Sequence, residues 1–315
     1  MSLRRGAALA GVALLAAAAI GWWQARHAWD APGPLPAARA IVIPHGGLDA
    51  VAAALVDAGA LDRPVAFRIA ALVTAGGAPR AGEFAFPAGA SLHQLFDVLR
   101  EARPVQHHLT IPEGLTSARI AALVDDAGAL TGTIRPPAEG SVLPETYAYE
   151  YGTSREALLA RMTVAMQRAL AREWEARAPD LPLASPRQAL VLASIVERET
   201  ARPDERAHIA AVYLNRLRLG MKLQADPTVA YGLGDFDHKL GRADLERDTP
   251  YNTYRIAGLP PGPICAPGIA SLHAVLHPAA SDDLYFVADG SGGHVFARSL
   301  AEHQKNVARW RALTQ

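Results

Sequence analysis

The sequence is poor in cysteine and has no excess of charge of either sign. Its 315 residues include one cysteine, Cys265, and 31 Lys and Arg residues balance 31 Asp and Glu residues. A single cysteine excludes an intramolecular disulfide and a zinc site built from several cysteines. The zero net charge argues against bulk electrostatic binding of nucleic acid, which needs a basic surface. With 50% hydrophobic residues, the chain is expected to fold rather than remain disordered.

Several common catalytic motifs are also absent from the sequence. It has no HExxH zinc motif and no GxSxG nucleophile motif. The GSGG segment at 290–293 lacks the lysine that a phosphate-binding loop needs. His107 and His108 are neighbours on an expected strand, where their side chains point apart. We therefore expect no catalytic metal site and no cofactor.

The N-terminus contains an uncharged apolar run. Residues 6–23 read GAALAGVALLAAAAIGWW, and at 1.5 Å per residue they extend about 27 Å, close to the thickness of a bilayer core. Arg4 and Arg5 favour a cytoplasmic tail at 1–5, and Trp22 and Trp23 suit the opposite interface. The run predicts a single transmembrane anchor at 6–24, with a cleaved signal peptide as the alternative.

A proline-rich segment and a small α/β region follow the apolar run. Residues 25–38 include APGPLPAA and are predicted to form an extended linker. Residues 39–104 are predicted to form a strand, two helices, a second strand and a helix that Ser91 caps. This order resembles a LysM module, which binds glycans that contain N-acetylglucosamine. A spacer domain without a ligand is the alternative.

One predicted helix carries a carboxylate on its apolar face. The helix covers 185–200 and begins with Ser-Pro, which is typical of a helix start. At about 100° per residue, Glu199 lies on the same stripe as Leu192 and Val196. Glu197 points to the opposite side, where we expect water. The pattern therefore separates two neighbouring glutamates into different environments.

A carboxyl group against an apolar wall is costly to ionise, so its pKa should rise. A raised carboxyl pKa is what a general acid needs at neutral pH. Glu199 is therefore a candidate acid. The alternative is that Glu199 forms an ion pair with Arg202 or Arg206 at the end of the helix.

Six segments, in order, resemble motifs of the MltG/YceG-like endolytic murein transglycosylases. They are IPEGLT at 111–116, VLPETY at 142–147, LASIVERET at 192–200, YLNRLRLGMKLQADPTVAYG at 213–232, PYNTYRIAGLPPGPI at 250–264 and YFVADGSGGHVFARSLAEH at 285–303. The resemblance extends from about 111 to 310. That family has one N-terminal membrane anchor and a LysM-like region before its catalytic domain.

The resemblance implies an α+β fold with a catalytic domain at 105–315. It implies that Glu199, the second glutamate of IVERET, is the catalytic acid. The polar and aromatic residues of the motifs are expected to bind the glycan: Glu145, Tyr147, Asn215, Gln224, Asp226, Tyr251, Asn252, Tyr254 and His294. Glu145 stands where the family usually has Asp, so its reach is one methylene longer.

The implied reaction cleaves the bond between N-acetylmuramic acid and N-acetylglucosamine in nascent peptidoglycan strands, which ends glycan elongation. A glycoside hydrolase generally needs two carboxylates. A lytic transglycosylase uses the muramyl C6 hydroxyl in place of water, so one carboxyl, Glu199, can act first as acid and then as base. The product is an anhydromuramyl end.

The resemblance also implies a place and partners for the protein. We expect a single-pass protein of the cell inner membrane with its catalytic domain on the periplasmic side. The expected partners are peptidoglycan strands, the inner membrane and peptidoglycan synthases, and not nucleic acid. The alternatives are a non-catalytic, membrane-tethered peptidoglycan-binding scaffold and, third, a cytosolic enzyme with a chance apolar N-terminus.

Overall fold

The structure, a computed structural model, describes residues 2–74, 77–236 and 239–313, with side chains from 11 to 312. The chain divides into two compact units. The first unit contains Met1–His107 and Ala148–Gly152, and the second contains His108–Tyr147 and Thr153–Gln315. Helices dominate both units and the strands form small two-stranded sheets, so the predicted α+β class is confirmed.

The first unit has the predicted order of strand, two helices, strand and helix after an N-terminal helix. Its elements are α1 (Ser2–Asp30), β1 (Arg39–Ile43), α2 (Leu48–Asp57), α3 (Pro64–Val73), β2 (Gly82–Phe86) and α4 (Leu92–Glu101). Strands β1 and β2 pair antiparallel, with Ile41 opposite Phe84. Ser91 caps α4 as predicted, because its hydroxyl accepts a hydrogen bond from the Gln94 backbone N–H. Likeness to a LysM module stays a prediction.

Helix α1 covers the segment predicted to anchor the protein. It continues to Asp30, so residues 25–30 of the predicted linker are helical. Within the described residues, no helix combines the length and the apolarity that a membrane crossing requires. The side chains of residues 6–10, the first part of the predicted anchor, lie outside the described ones. The predicted membrane span is not confirmed.

Two short strands, β3 (Gln106–Thr110) and β4 (Thr146–Glu150), form a second sheet. The remaining elements belong to the second unit. They are α5 (Ser117–Asp126), α6 (Arg155–Glu175), α7 (Pro186–Glu199), α8 (Arg206–Arg218), α9 (Asp226–Leu233), α10 (Arg242–Leu245), α11 (Ile269–Leu276), β5 (Tyr285–Ala288), β6 (His294–Ala297) and α12 (Leu300–Leu313). Strands β5 and β6 pair antiparallel.

Helix α7 lies at the centre of the second unit. All residues from Val191 to Val196 are buried, and α6, α8, α9 and α11 pack against the helix. The hydroxyl of Ser194 fits this interior because it donates to the Val191 carbonyl and accepts from the Ile264 backbone N–H, at 2.7 and 3.0 Å. This central part of α7 therefore has no solvent-exposed face. The two glutamates, Glu197 and Glu199, come directly after it in the chain.

Candidate active site

Glu199 is the last residue of α7 and lines a cavity of about 310 Å³. The buried helix positions this carboxyl group inside the unit, and the extended backbone of Thr200 (φ −139°) ends the helix there. The cavity wall comes from α7, α8, the start of α9, the loop before it, the loop after α10, β5 and α12. The other lining residues are Tyr213, Arg216, Leu223, Gln224, Asp226, Tyr254, Phe286 and His303.

The Glu199 carboxyl group has a raised pKa. Burial raises the pKa of Glu199 to about 7, against a hydrogen bond from the Tyr213 hydroxyl that lowers it. The negative charge of Asp226 adds to the rise, and the positive charge of Arg216 opposes it. The group is therefore protonated in a large fraction of molecules near neutral pH, as a general acid requires.

Glu197 does not face water, and this part of the prediction is wrong. Its side chain is 5% exposed, and Oε1 lies 3.6 Å from Nη2 of Arg206. Its Oε2 accepts a 2.9 Å hydrogen bond from the Gly268 backbone N–H. The cause is tertiary packing at this end of α7: Arg206 and the backbone of Gly268 lie against the face that carries Glu197, although the next residue, Arg198, is exposed. Glu197 is held by a cation and a backbone donor, and it lines neither cavity that contains Glu199.

The two arginines that could pair with Glu199 are engaged elsewhere. Arg206 lies against Glu197, and Nη2 of Arg202 is 2.8 Å from Oδ2 of Asp204. The alternative of an ion pair between Glu199 and either arginine is therefore wrong.

Asp226 enters the cavity from the first turn of α9. Its Oδ1 accepts a 2.6 Å hydrogen bond from the Tyr254 hydroxyl. The preceding loop docks onto the loop that carries Tyr254, because the Gln224 and Ala225 backbone N–H groups donate to the carbonyl and hydroxyl oxygens of Thr253. Gln224 has a left-handed backbone (φ 55°), a turn that few non-glycine residues adopt. The packing of the two loops fixes this turn and the position of Asp226.

Arg216 joins the cavity wall to the surrounding backbone. The residue is 7% exposed, and its guanidinium donates to the carbonyls of Leu284 and Leu223 at 2.6 and 2.7 Å. It also lies over the Tyr285 ring, 5.2 Å from the centroid. A planar group with five donors suits such a junction, because several carbonyls can be satisfied at once.

A second cavity, of about 530 Å³, shares Glu199 and Asp226 with the first. It has aromatic side chains, Phe236 and Trp310, and cationic side chains. The remaining lining residues are Arg198, Pro227, Ala230, Lys239 and Leu240. The guanidinium of Arg198 lies over the Phe236 ring, 4.3 Å from the centroid. The two acidic residues therefore lie where two cavities meet.

The structure brings together Glu199 and three of the predicted binding residues, Gln224, Asp226 and Tyr254. It places the others outside both cavities. The Asn215 amide donates to the backbone carbonyls of Ser281 and Asp283, at 2.8 and 3.1 Å. These bonds fix the segment before β5, so Asn215 acts here as a structural side chain.

Asn252 and Tyr251 likewise serve the loop that contains them. Asn252 is fully buried, and its amide donates to the carbonyls of Leu245 and Arg247. The Tyr251 ring packs edge-on to Tyr231 with centroids 4.7 Å apart. Neither side chain lines the cavities with Glu199.

His294, Glu145 and Tyr147 also lie outside the two cavities. Nδ1 of His294 is 2.6 Å from Oε2 of Glu205. Glu145 is exposed just before β4, and its carbonyl accepts a hydrogen bond from the Ile111 backbone N–H. The Tyr147 hydroxyl donates to the Leu143 carbonyl, and burial raises the pKa of Tyr147 to about 12.

Five residues of the smaller cavity were not among the predicted site residues: Tyr213, Arg216, Leu223, Phe286 and His303. Tyr213 and Arg216 are three positions apart and share one face of α8, a spacing that the sequence does contain. Phe286 and His303 come from β5 and α12, and only the packing of these elements places them near Glu199.

The sequence matches the model of one protein family and is similar to several bacterial proteins. The model of the YceG-like family matches residues 41–309. An endolytic murein transglycosylase of Bacillus subtilis is 38% identical over 173 residues, which cover 55% of this chain and 48% of that protein. An endolytic murein transglycosylase of Streptococcus pneumoniae is 34% identical over 192 residues, which cover 59% of this chain and 33% of that protein. The matched part therefore spans between about a third and a half of these relatives.

A solved structure is also similar. The crystal structure of a YceG-like protein from Listeria monocytogenes has a TM-score of 0.54 and 30% sequence identity. The similarity covers 86% of this chain and 99% of that one, which is more than either compact unit alone, so it extends into both.

Proposed function

The chain belongs to the YceG-like family, and we propose that it is a lytic transglycosylase that cleaves peptidoglycan glycan strands between N-acetylmuramic acid and N-acetylglucosamine. One observation carries the proposal: a carboxyl group with a pKa of about 7, Glu199, lies where two cavities meet. The relatives in Bacillus subtilis and Streptococcus pneumoniae are named endolytic murein transglycosylases, which agrees with this chemistry.

Glu199 acts first as the acid. Its Oε1 accepts the hydrogen bond from Tyr213, so Oε2 is the atom that we assign to carry the proton. That proton passes to the glycosidic oxygen as the bond to the anomeric carbon of the muramyl residue breaks. The hydroxyl of Tyr213 then stabilises the carboxylate that the transfer leaves behind.

Glu199 acts next as the base. The new carboxylate removes the proton from the muramyl C6 hydroxyl, and the C6 oxygen attacks the anomeric carbon. A 1,6-anhydro bond forms, the glutamate regains its proton, and no water is consumed. One carboxyl group therefore serves both steps.

Asp226 and Tyr254 support the charged transition state. The anomeric carbon gains positive charge as the glycosidic bond breaks, and a carboxylate fixed beside it lowers the energy of that charge. Tyr254 holds Asp226 through the 2.6 Å hydrogen bond and so keeps it oriented.

The two cavities suit cleavage of a glycosidic bond within a glycan strand rather than at its end. Sugar units on either side of the cleaved bond would occupy one cavity each, with Glu199 between them. The Phe236 and Trp310 rings of the larger cavity offer apolar faces for pyranose rings, and its Arg198 and Lys239 offer positive charge to the carboxylates of the peptide stem. Gln224 supplies amide donors and acceptors in the smaller cavity.

We also propose that α1 attaches the protein to the inner membrane, with the second unit on the periplasmic side. The support is a series of exposed large apolar side chains along α1: Leu14, Leu15, Ile20, Trp22 and Trp23. Recovery of the full chain in the soluble fraction after cell breakage would contradict this attachment. Glycan binding by the first unit and association with peptidoglycan synthases stay predictions.

The lytic activity is tested by incubating purified peptidoglycan sacculi with the full chain and measuring the soluble fragments released. We expect release by the wild-type protein and none by Glu199→Gln, while both proteins still sediment with sacculi. If the wild-type protein binds sacculi and releases nothing, it is a non-catalytic scaffold and the proposal fails.

A further inference from the structure

Three potential metal ligands from two helices lie together on the surface of the second unit. Glu173 belongs to the last turn of α6, His273 belongs to α11, and His277 directly follows α11. One ligand atom from each lies within 4.8 Å of the other two. Nδ1 of His273 is 2.9 Å from Oε2 of Glu173, and the two imidazole rings are stacked with centroids 4.4 Å apart.

We propose that Glu173, His273 and His277 bind a divalent transition-metal ion of the Zn²⁺ class. Two imidazoles and one carboxylate form a donor set that such ions accept, with water in the remaining position. Four ligands at about 2.0–2.1 Å from a tetrahedral Zn²⁺ lie roughly 3.3 Å from one another. The side chains therefore need only small rotations from their positions in the structure to complete the site.

The backbone around the cluster is already fixed. The Ala178 backbone N–H, just beyond α6, donates a 2.9 Å hydrogen bond to the Leu276 carbonyl at the end of α11. This bond holds the end of α11 beside the segment that follows Glu173, so binding does not have to order a loop. The side chain of His273 is 59% exposed, which gives an ion a path from solvent.

The site is separate from the proposed catalytic machinery. None of its three residues lines either cavity that contains Glu199. An ion there would link α6 to α11, and both helices pack against α7. The expected effect is a more stable second unit, because an ion that binds only the folded chain shifts the folding equilibrium by mass action.

The test is thermal unfolding of the full 315-residue chain after removal of metal with a chelator, with and without added ZnCl₂. At a concentration 100-fold above the Kd, the unfolding midpoint should rise by roughly 5–10 °C. Isothermal titration should give one ion per chain. Co²⁺ in place of Zn²⁺ should give a visible absorption band, which reports on the ligands directly.

The variants His273→Ala and Glu173→Gln should abolish the shift and the Co²⁺ band. His45→Ala, which removes an exposed histidine of the first unit, should retain both. Glu173→Gln guards against misfolding, since its amide oxygen can still accept the hydrogen bond from His273. Absence of saturable binding, or equal binding by the wild type and the two cluster variants, would overturn the proposal.

Discussion

The Tyr213 hydroxyl on α8 donates a hydrogen bond to Oε1 of Glu199 at the end of α7, 14 positions earlier in the chain. Burial of the carboxyl group raises its pKa, and this bond lowers it, because a donor favours the ionised form. The balance leaves a pKa of about 7. Without the bond the proton would be held too tightly to be donated efficiently at neutral pH.

Removal of this donor should move the pH profile of the enzyme. In Tyr213→Phe, the pKa of Glu199 should rise, so the alkaline fall of kcat/KM should shift upward by up to about one pH unit. The maximal rate should fall about tenfold or more, since the phenol no longer stabilises the carboxylate. Profiles of fragment release against pH measure both effects.

Tyr231→Phe is the matched control for this variant. Tyr231 donates a 3.3 Å hydrogen bond to Glu139 and lines neither cavity with Glu199. Its removal should leave the profile of the wild-type enzyme unchanged. An equal shift in both variants, or a downward shift in Tyr213→Phe, would contradict the role assigned to Tyr213.

The raised pKa of Glu199 also predicts how stability depends on pH. Below the ordinary value of 4.5 the folded and unfolded chains both keep the proton. Between 4.5 and about 7, unfolding releases the proton, so the free energy of unfolding falls as the pH rises. The loss is complete above the folded pKa and amounts to at most about 3 kcal/mol.

Glu199→Gln isolates this effect, because an amide does not titrate. The stability of the variant relative to the wild type should increase from pH 4.5 to pH 8, as measured by urea unfolding at several pH values. Other titrating groups are common to both proteins and cancel in the difference. A difference that stays constant with pH would show that Glu199 has an ordinary pKa.

Arg216→Lys should destabilise the protein although it keeps the charge. A lysine cannot reach the Leu284 and Leu223 carbonyls at once, and each buried carbonyl left without a donor costs about 1–3 kcal/mol. Urea unfolding should give a loss of roughly 2–4 kcal/mol. Arg218→Lys, on an exposed position of the same helix, should change stability by less than about 0.5 kcal/mol.

The variant Glu197→Gln tests whether the carboxylate of Glu197 has a structural role, in contrast to the catalytic role proposed for Glu199. The amide oxygen can still accept from Gly268, and Arg206 keeps Glu113 as a partner at 3.6 Å. We therefore expect most of the lytic activity to remain, with a change in unfolding midpoint of a few degrees. An activity loss as large as that of Glu199→Gln would contradict the assignment of the acid to Glu199 alone.

Local signals in the sequence predict much of the fold. Ser91 and Ser185 mark the starts of α4 and α7, and both hydroxyls accept the expected hydrogen bond from the third helical residue. Helix α11, by contrast, was not predicted. Five of its eight residues are buried: Ser271, Leu272, Ala274, Val275 and Leu276. A helix buried over most of its surface lacks the amphipathic pattern by which a helix is recognised in a sequence.

The candidate site was predictable only in part. Glu199 follows from its place on an apolar stripe, but the same stripe gave the wrong environment for Glu197, because Arg206 and the Gly268 backbone cover the opposite face of α7 there. Asn252 and Gln224 look equally suited to sugar binding in the sequence. The structure shows that the Asn252 amide is used by its own loop, whereas Gln224 reaches the cavity. That distinction depends on tertiary contacts.

The chemical end of the product tests the central claim most directly. Mass spectrometry of the muropeptides released from sacculi by the full chain should find 1,6-anhydromuramyl ends, and Glu199→Gln should release none. Each such end is lighter than a reducing end by one water, so the two products are resolved in one spectrum. Reducing ends from the wild-type protein, or anhydro ends from Glu199→Gln, would contradict the mechanism.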